Sequence, residues 1–409
     1  MTESTVPLAV RTERSEDRPT RFGPTSMLLA AGPLLLLVGA LSLIVTTDAG
    51  LGDRTTPPIE TLNVQRVRLP EPGLIELDIV NDGPDSISIA QVLVDDAYWQ
   101  FTMEPAGTLD RLDSATIRVP YPWVQDEAHA VAMISATGVV FAADIPVAVE
   151  SPAADRESIV RFGLVGLYVG IVPVSLGLLW YPFLRRLGRR GMNFVLALTI
   201  GLLVFLLVDM FGAAQAVALT AAGSLNAPAL VPLLAVLTAA LLAVIGRSLQ
   251  RGRTEAGGLP LAYQIATGIG LHNLGEGLAI GSAFALGEAA LGVFLILGFT
   301  LHNVTEGIGI AAPVVRDRPA LAHFVGLAAI AGAPAILGTW IGAYVYSPFW
   351  TTVFLAVGIG AILQVVVEVG RLIHRTQQRH GESSLTWTTF GGVTAGITVM
   401  YATALLVAA

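Results

Sequence analysis

About nine stretches of this 409-residue chain are apolar over a length that can cross a bilayer: roughly 26–46, 159–183, 192–215, 228–246, 261–285, 287–312, 320–346, 350–372 and 385–408. A hydrocarbon core about 30 Å thick takes about 20 helical residues. One such stretch can be the core helix of a soluble domain. Nine in succession, most of them joined by short loops, predict a polytopic α-helical membrane protein. Composition agrees, with 54% of residues hydrophobic and 13% charged and a mean hydropathy of +0.69, far from a soluble average.

The net charge is −8, and much of the acid lies in 51–157, a segment expected to face away from the cytoplasm, so nucleic-acid binding is not suggested. The chain has no cysteine, which excludes disulfides and thiolate metal sites. Every basic side chain is arginine, and a Walker P-loop requires its lysine.

The stretches fall into three expected domains. Residues 1–50 hold a polar tail with Arg11, Arg14, Arg18 and Arg21 and then an apolar run, which reads as an uncleaved anchor helix; a signal peptide is the alternative. Residues 51–155 change character. Ile75, Leu77 and Ile79 alternate with Glu76 and Asp78, "NDGP" at 81–84 marks a turn, and similar short runs follow. The expectation is a small antiparallel β-sandwich with a structural or partner-binding role; its one histidine, His129, has no ligand cluster in sequence. Residues 156–409 hold the remaining eight runs.

Loop charge selects a topology. Basic residues gather at 185–190, at Arg247, Arg251 and Arg253, at Arg316 and Arg318, and at Arg371 and Arg375, in alternate loops. With a cytoplasmic N-terminus, every basic loop falls inside, and 51–155 and the C-terminus fall outside, in a cell (plasma) membrane.

Into these apolar runs the chain twice writes one polar hexad, "HNLGEG" at 272–277 and "HNVTEG" at 302–307. An acidic residue at a helix centre costs about 2.5–3.5 kcal/mol on insertion scales, so two cost about 5 kcal/mol unless a partner offsets them. His272 and Glu276, like His302 and Glu306, stand at i and i+4 on one helix face. The two helices are antiparallel about a turn near Gly287, which predicts both histidines at similar depth and a short ladder of four donors, a local inversion of the kind found at transporter sites. Asn273 and Asn303 sit one residue on, placed to extend the site or bond a neighbour. Imidazole and carboxylate suit Zn²⁺, Fe²⁺, Mn²⁺ or Co²⁺ without choosing among them. The alternative is a pair of buried His–Glu contacts that staple two helices. Four further residues are candidates for a pathway: Asp209, Met210, Gln364 and Glu368. Their bland readings are a helix-end hydrogen bond, packing, a polar helix–helix contact and an ion pair with Arg371. Glu288 and His323 read as interfacial.

At these residues the chain resembles the ZIP (Zrt/Irt-like) family of metal-ion transporters, in its prokaryotic branch. The resemblance spans about 156–409. It rests on His272, Asn273, Glu276 and Gly277 in the fourth helix of the block, and on His302, Asn303, Glu306 and Gly307 in the fifth. "AVGIGAILQVVVEVGRLI" looks like the family's seventh helix, with Glu368 at its first acid. It implies an eight-helix bundle binding a divalent metal ion, Zn²⁺ foremost and Fe²⁺ or Mn²⁺ besides, as its substrate. It implies movement toward the cytoplasm with alternating exposure of the site, and homodimers. The chain departs from the pattern at Gly275 and Thr305, where proline is usual, at Ala333, where a glutamate often precedes Pro334, and at Val369, where a second acid stands. The anchor and the β domain are additions to it.

Three function classes follow. The first is a ZIP-like importer. The second is an intramembrane metalloenzyme, disfavoured because Asn273 and Asn303 follow the histidines where a His-Glu-x-x-His protease needs Glu; the chain reads as no enzyme. The third is a membrane metal sensor that binds without transporting and reports through the β domain.

Overall fold

The computed structural model describes residues 24–46, 58–250 and 258–408, with backbone alone at 24–30, 45, 249–250 and 406–408. The arginine-bearing tail, the 47–57 connection that bears on cleavage of the anchor, and Arg251 and Arg253 lie outside the described residues. The chain forms two compact units, Met1–Pro58 and Ile59–Ala409. In the first, helix α1 (Pro24–Thr46) is apolar along its length.

The second unit opens with β-structure, because its sequence alternates at the period of a pleated strand. The strands are β1 (Leu62–Glu71), β2 (Leu74–Asn81), β3 (Ile89–Val94), β4 (Ala97–Trp99), β5 (Thr102–Glu104), β6 (Ser114–Val119), β7 (His129–Ser135) and β8 (Val140–Ile145). They pair antiparallel as two sheets, β1-β2-β6-β5 and β4-β3-β7-β8. Ile75, Leu77, Ile79 and Ile117 of the first sheet share a core with Val92, Val94, Val131 and Met133 of the second. Asn81 closes the turn after β2: its Nδ2 donates to Asp85 O and Leu109 O, and its Oδ1 accepts from Gly83 N.

The other face of the first sheet is a grid of charge. Register places Arg66 opposite Asp78, and Glu76 between Arg68 and Arg118. Arg66 pairs with Asp78 at 3.0 Å, Arg68 with Glu76 at 2.8 Å, and Arg118 with Glu76 and Glu104 at 2.9 Å each. Burial pulls the Asp78 carboxyl up, but hydrogen bonds from Arg68 and Thr116 and the two guanidinium charges outweigh it and hold it below its ordinary value. His129 is a structural residue. Its Nδ1 bonds Asp95 Oδ2 at 2.8 Å, and Val124 N–H donates to its Nε2 at 3.3 Å. Tyr121 Oη donates to the same Asp95 at 2.7 Å. That bond, with Ala130 N–H and His129, holds Asp95 down at about 2 and lifts Tyr121 to about 12.

Helices follow from Arg156: α2 (Arg156–Gly166), a π-turn (Leu167–Ile171), α3 (Val172–Leu178), α4 (Tyr181–Leu184), α5 (Arg189–Thr220), a 3-10 turn (Gly223–Leu225), α6 (Ala227–Gln250), α7 (Gly258–Ala285), α8 (Ala289–Ala311), a second 3-10 turn (Ala312–Arg316), α9 (Leu321–Tyr344), α10 (Pro348–Gln378) and α11 (Trp387–Ala408). Asp155 caps the first of them, accepting from Ser158 N–H at 2.7 Å. Among the described residues six helical segments are long and apolar enough to cross a membrane: Arg156–Leu184, Arg189–Thr220, Gly223–Ser248, Ala289–Arg316, Leu321–Tyr344 and Pro348–Gln378. This is the make-up of a membrane-spanning protein. Helices α7 and α11 fall outside that set; α7 carries Gln264, His272, Asn273 and Glu276 among its apolar residues.

Small residues bring α7 and α8 against their neighbours. A Cβ at Gly277 would stand 2.2 Å from Ala335 O of α9, and one at Gly307 would stand 2.2 Å from Val174 O of α3. Each hexad thus ends on a glycine that lets its helix touch another backbone.

Candidate metal centre

Within each hexad the 100° turn per residue divides the labour. His and Glu, one turn apart, face inward together; Asn and Gly face the neighbouring helix. His272, Glu276, His302 and Glu306 are 1%, 3%, 6% and 3% exposed. His272 Nε2 lies 2.9 Å from Glu276 Oε1 and 3.8 Å from Glu306 Oε1, and His302 Nε2 meets the same Glu276 Oε1. The two imidazoles are tilted 33° with centroids 6.1 Å apart. The donors therefore form a compact cluster rather than a ladder, because Glu276 serves the histidines of both helices.

His272, Glu276 and His302 each offer one ligand atom within 4.8 Å of the others, so this group could hold a metal ion. Zn–N and Zn–O bonds are about 2.0–2.2 Å, so the touching donors would move apart to admit an ion. The chain offers no thiolate, so the donors are nitrogen and oxygen.

The carboxylates are held unequally. Glu276 bonds His302, and its Oε2 accepts from Asn303 Nδ2 at 3.0 Å. Both oxygens of Glu306 are buried without a hydrogen-bond partner, as is His272 Nε2, whose contact with Glu276 lacks hydrogen-bond geometry. Buried polar atoms are nearly always satisfied, so each exception asks for an explanation.

Both asparagines are anchored to backbone. Asn303 Nδ2 also donates to Val169 O at 3.0 Å, and Asn273 Nδ2 donates to Ala331 O at 2.9 Å. These carbonyls lie beside prolines. Pro173 has no N–H to offer Val169 O four residues earlier, where the helix relaxes into its π-turn. Pro334 lies inside α9, three residues after Ala331. With each Nδ2 committed, each Oδ1 is left buried and without a partner.

No protein-family model matches this chain. No curated protein matches it either. Its site is therefore read from its own geometry.

The pathway candidates separate. Met210 is buried, with Sδ 2.8 Å from His272 Nδ1. An Nδ1–H directed at the thioether leaves the Nε2 lone pair facing the carboxylates, so Met210 buttresses the ring from the side away from the cluster. Asp209, one residue back, is exposed. Gln364 is buried on α10 with Nε2 unpartnered, six residues beyond Gly358, whose added Cβ would stand 3.5 Å from His272 Cα. Glu368 bonds Arg371 at 2.6 Å. Glu288 directly precedes α8, and His323, in the first turn of α9, bonds Tyr263 Oη at 3.0 Å. Sequence reasoning passed over Val169 and Ala331, the backbone mounts of the two asparagines. For Val169 the signal was Pro173, four residues on in an apolar run.

Proposed function

We propose that this chain is a membrane transporter of divalent transition-metal cations. Zn²⁺ is the first expectation and Fe²⁺ or Mn²⁺ the next. His272, Glu276, His302 and Glu306 hold the ion between α7 and α8, and Asn273 and Asn303 complete the polar set beside it. The observation that carries the reading is Glu306: a buried carboxylate with no hydrogen-bond partner, beside a second carboxylate and two imidazoles. A divalent cation is the partner that would satisfy such a group of carboxylate and imidazole donors. The resemblance to the ZIP family, with its eight-helix bundle, is part of this proposal.

The proposed orientation puts the β-sandwich and C-terminus outside and the N-terminus in the cytoplasm. It is supported by the arginines of 185–190, 316–318 and 371–379, which stand at the helix ends opposite those the sandwich touches. A sensor that binds without transporting is the second reading, favoured by hydrogen bonds from the sandwich to helix-end backbone. Proteoliposomes decide between them. The wild type is expected to accumulate Zn²⁺, Fe²⁺ or Mn²⁺ from outside, and His272→Ala to lose that uptake. Binding of the metal without uptake would replace the transporter by the sensor; neither binding nor uptake would reject both.

A further inference from the structure

Four helices bring residues to the cluster: α7 with His272, α8 with His302, α5 with Met210, and α10, whose Gly358 lies against His272. At one end of the bundle α5 stops at Thr220, α7 at Ala285, α8 starts at Ala289 and α10 at Pro348. The β-sandwich reaches all four ends. Asn63 Nδ2 donates to Thr220 O at 3.2 Å. Just past α5, Asp82 accepts from Gly223 N–H at 2.6 Å and Ser224 N–H at 2.8 Å. Between α7 and α8, Gly287 and Glu288 form one wall of a cleft of about 290 Å³, with the 64–67 strand and the 144–149 segment opposite. Tyr346, before α10, lines that cleft and a second of about 380 Å³ beneath the charge grid.

The junction is therefore a few side-chain-to-backbone hydrogen bonds around clefts, not a continuous apolar seal. Polar interfaces of this kind between parts of one chain are the ones that open. Meanwhile the His/Glu cluster is 1–6% exposed, so the site is closed in this arrangement. We infer that the β-sandwich is the outer gate of this protein: a cation passes to the His/Glu site only when the sandwich lifts from the ends of α5, α7, α8 and α10. The inference rests on the transport reading and gives the added domain a role in it.

A chain without cysteine allows a direct test. Asp82→Cys with Gly223→Cys places two thiols across the junction. A Cβ at Gly223 would lie 3.3 Å from Asp82 Oδ2, and Gly223 is not in the left-handed region. Asn63→Cys with Thr220→Cys is an independent second pair. Zn²⁺ uptake is measured in proteoliposomes, oxidised and then reduced. Locking the docked state removes the open population, so oxidation is expected to cut uptake at least about tenfold and reduction to restore it. Equal uptake in the two redox states, in a pair shown to be bridged, overturns the gate and leaves transport standing. If one pair fails to fold, the other decides. A wild type that binds or carries no metal overturns the transport reading itself, and the gate with it.

Discussion

Two regions of the molecule bury carboxylates beside nitrogen bases, and they settle them differently. On the outer face of the first sheet, buried Glu76, half-buried Asp78 and exposed Glu104 each meet at least one guanidinium. Between α7 and α8, Glu276 takes hydrogen bonds with His302 and Asn303, while Glu306 has no hydrogen-bond partner and only the distant His272 imidazole at 3.8 Å. A self-satisfied network is explained by the fold it stiffens. A buried carboxylate left open has a cost that the fold does not offset, and it points to something from outside the chain.

The sharpest way to break this contrast is to remove one carboxylate from each region. Glu306→Leu replaces a buried carboxyl that has no hydrogen-bond partner by an apolar group of similar size. The metal-free protein should gain about 1–4 kcal/mol of stability, while metal affinity falls more than about a hundredfold, beyond the usual loss for a ligand's supporting partner. Glu76→Leu should change stability less than Glu306→Leu and in the destabilising direction, because Arg68 and Arg118 each lose one of two carboxylate partners, and should leave metal binding unchanged. Thermal unfolding with and without Zn²⁺ reads both. A less stable metal-free Glu306→Leu would mean that this carboxylate serves the fold after all.

Next in size is the mounting of the site. Asn303 ties Glu276 to the carbonyl freed by Pro173, so Asn303→Ala should weaken metal binding about 10–100-fold. Secondary structure should be unchanged by circular dichroism. An unaltered titration curve would remove Asn303 from the site.

The smallest effect belongs to the sandwich. Asp95 is held at about 2 by Tyr121 first, then Ala130 and His129, against about 3.9 in an unfolded chain. A depressed carboxylate stabilises the fold above its unfolded value, and that contribution is lost as pH falls from about 4 toward about 2. Sandwich stability should therefore drop over that window, and Asp95→Asn should flatten the drop. A parallel drop in the variant would assign the effect elsewhere.

The pattern of what sequence could show is itself physical. His272 with Glu276 and His302 with Glu306 are local pairs, set by helix pitch alone, and the structure brings all four together. The alternation of Ile75, Leu77 and Ile79 with Glu76 and Asp78 likewise foretold which face of β2 is core. What stayed hidden depends on distant chain segments. Asn303 finds Val169 across 134 residues and Asn273 finds Ala331 across 58. Glu276 prefers the histidine of the other helix, a register that counting from Gly287 does not give. On α5 the run is apolar on every side, so nothing local told Met210, turned inward, from Asp209, turned outward. The β3–β4 turn escaped notice because Asp95 and Asp96 both take positive φ, 49° and 65°, where Asn-Gly or Asp-Gly is the usual signal.

X-ray absorption at the zinc edge of the Zn²⁺-loaded protein tests the central claim most directly. The account predicts a shell of nitrogen and oxygen at about 2.0–2.2 Å with the outer scattering of two imidazoles and no sulfur near 2.3 Å, altered in Glu306→Leu and His272→Ala. A shell without imidazole, or one identical in both variants, would contradict it.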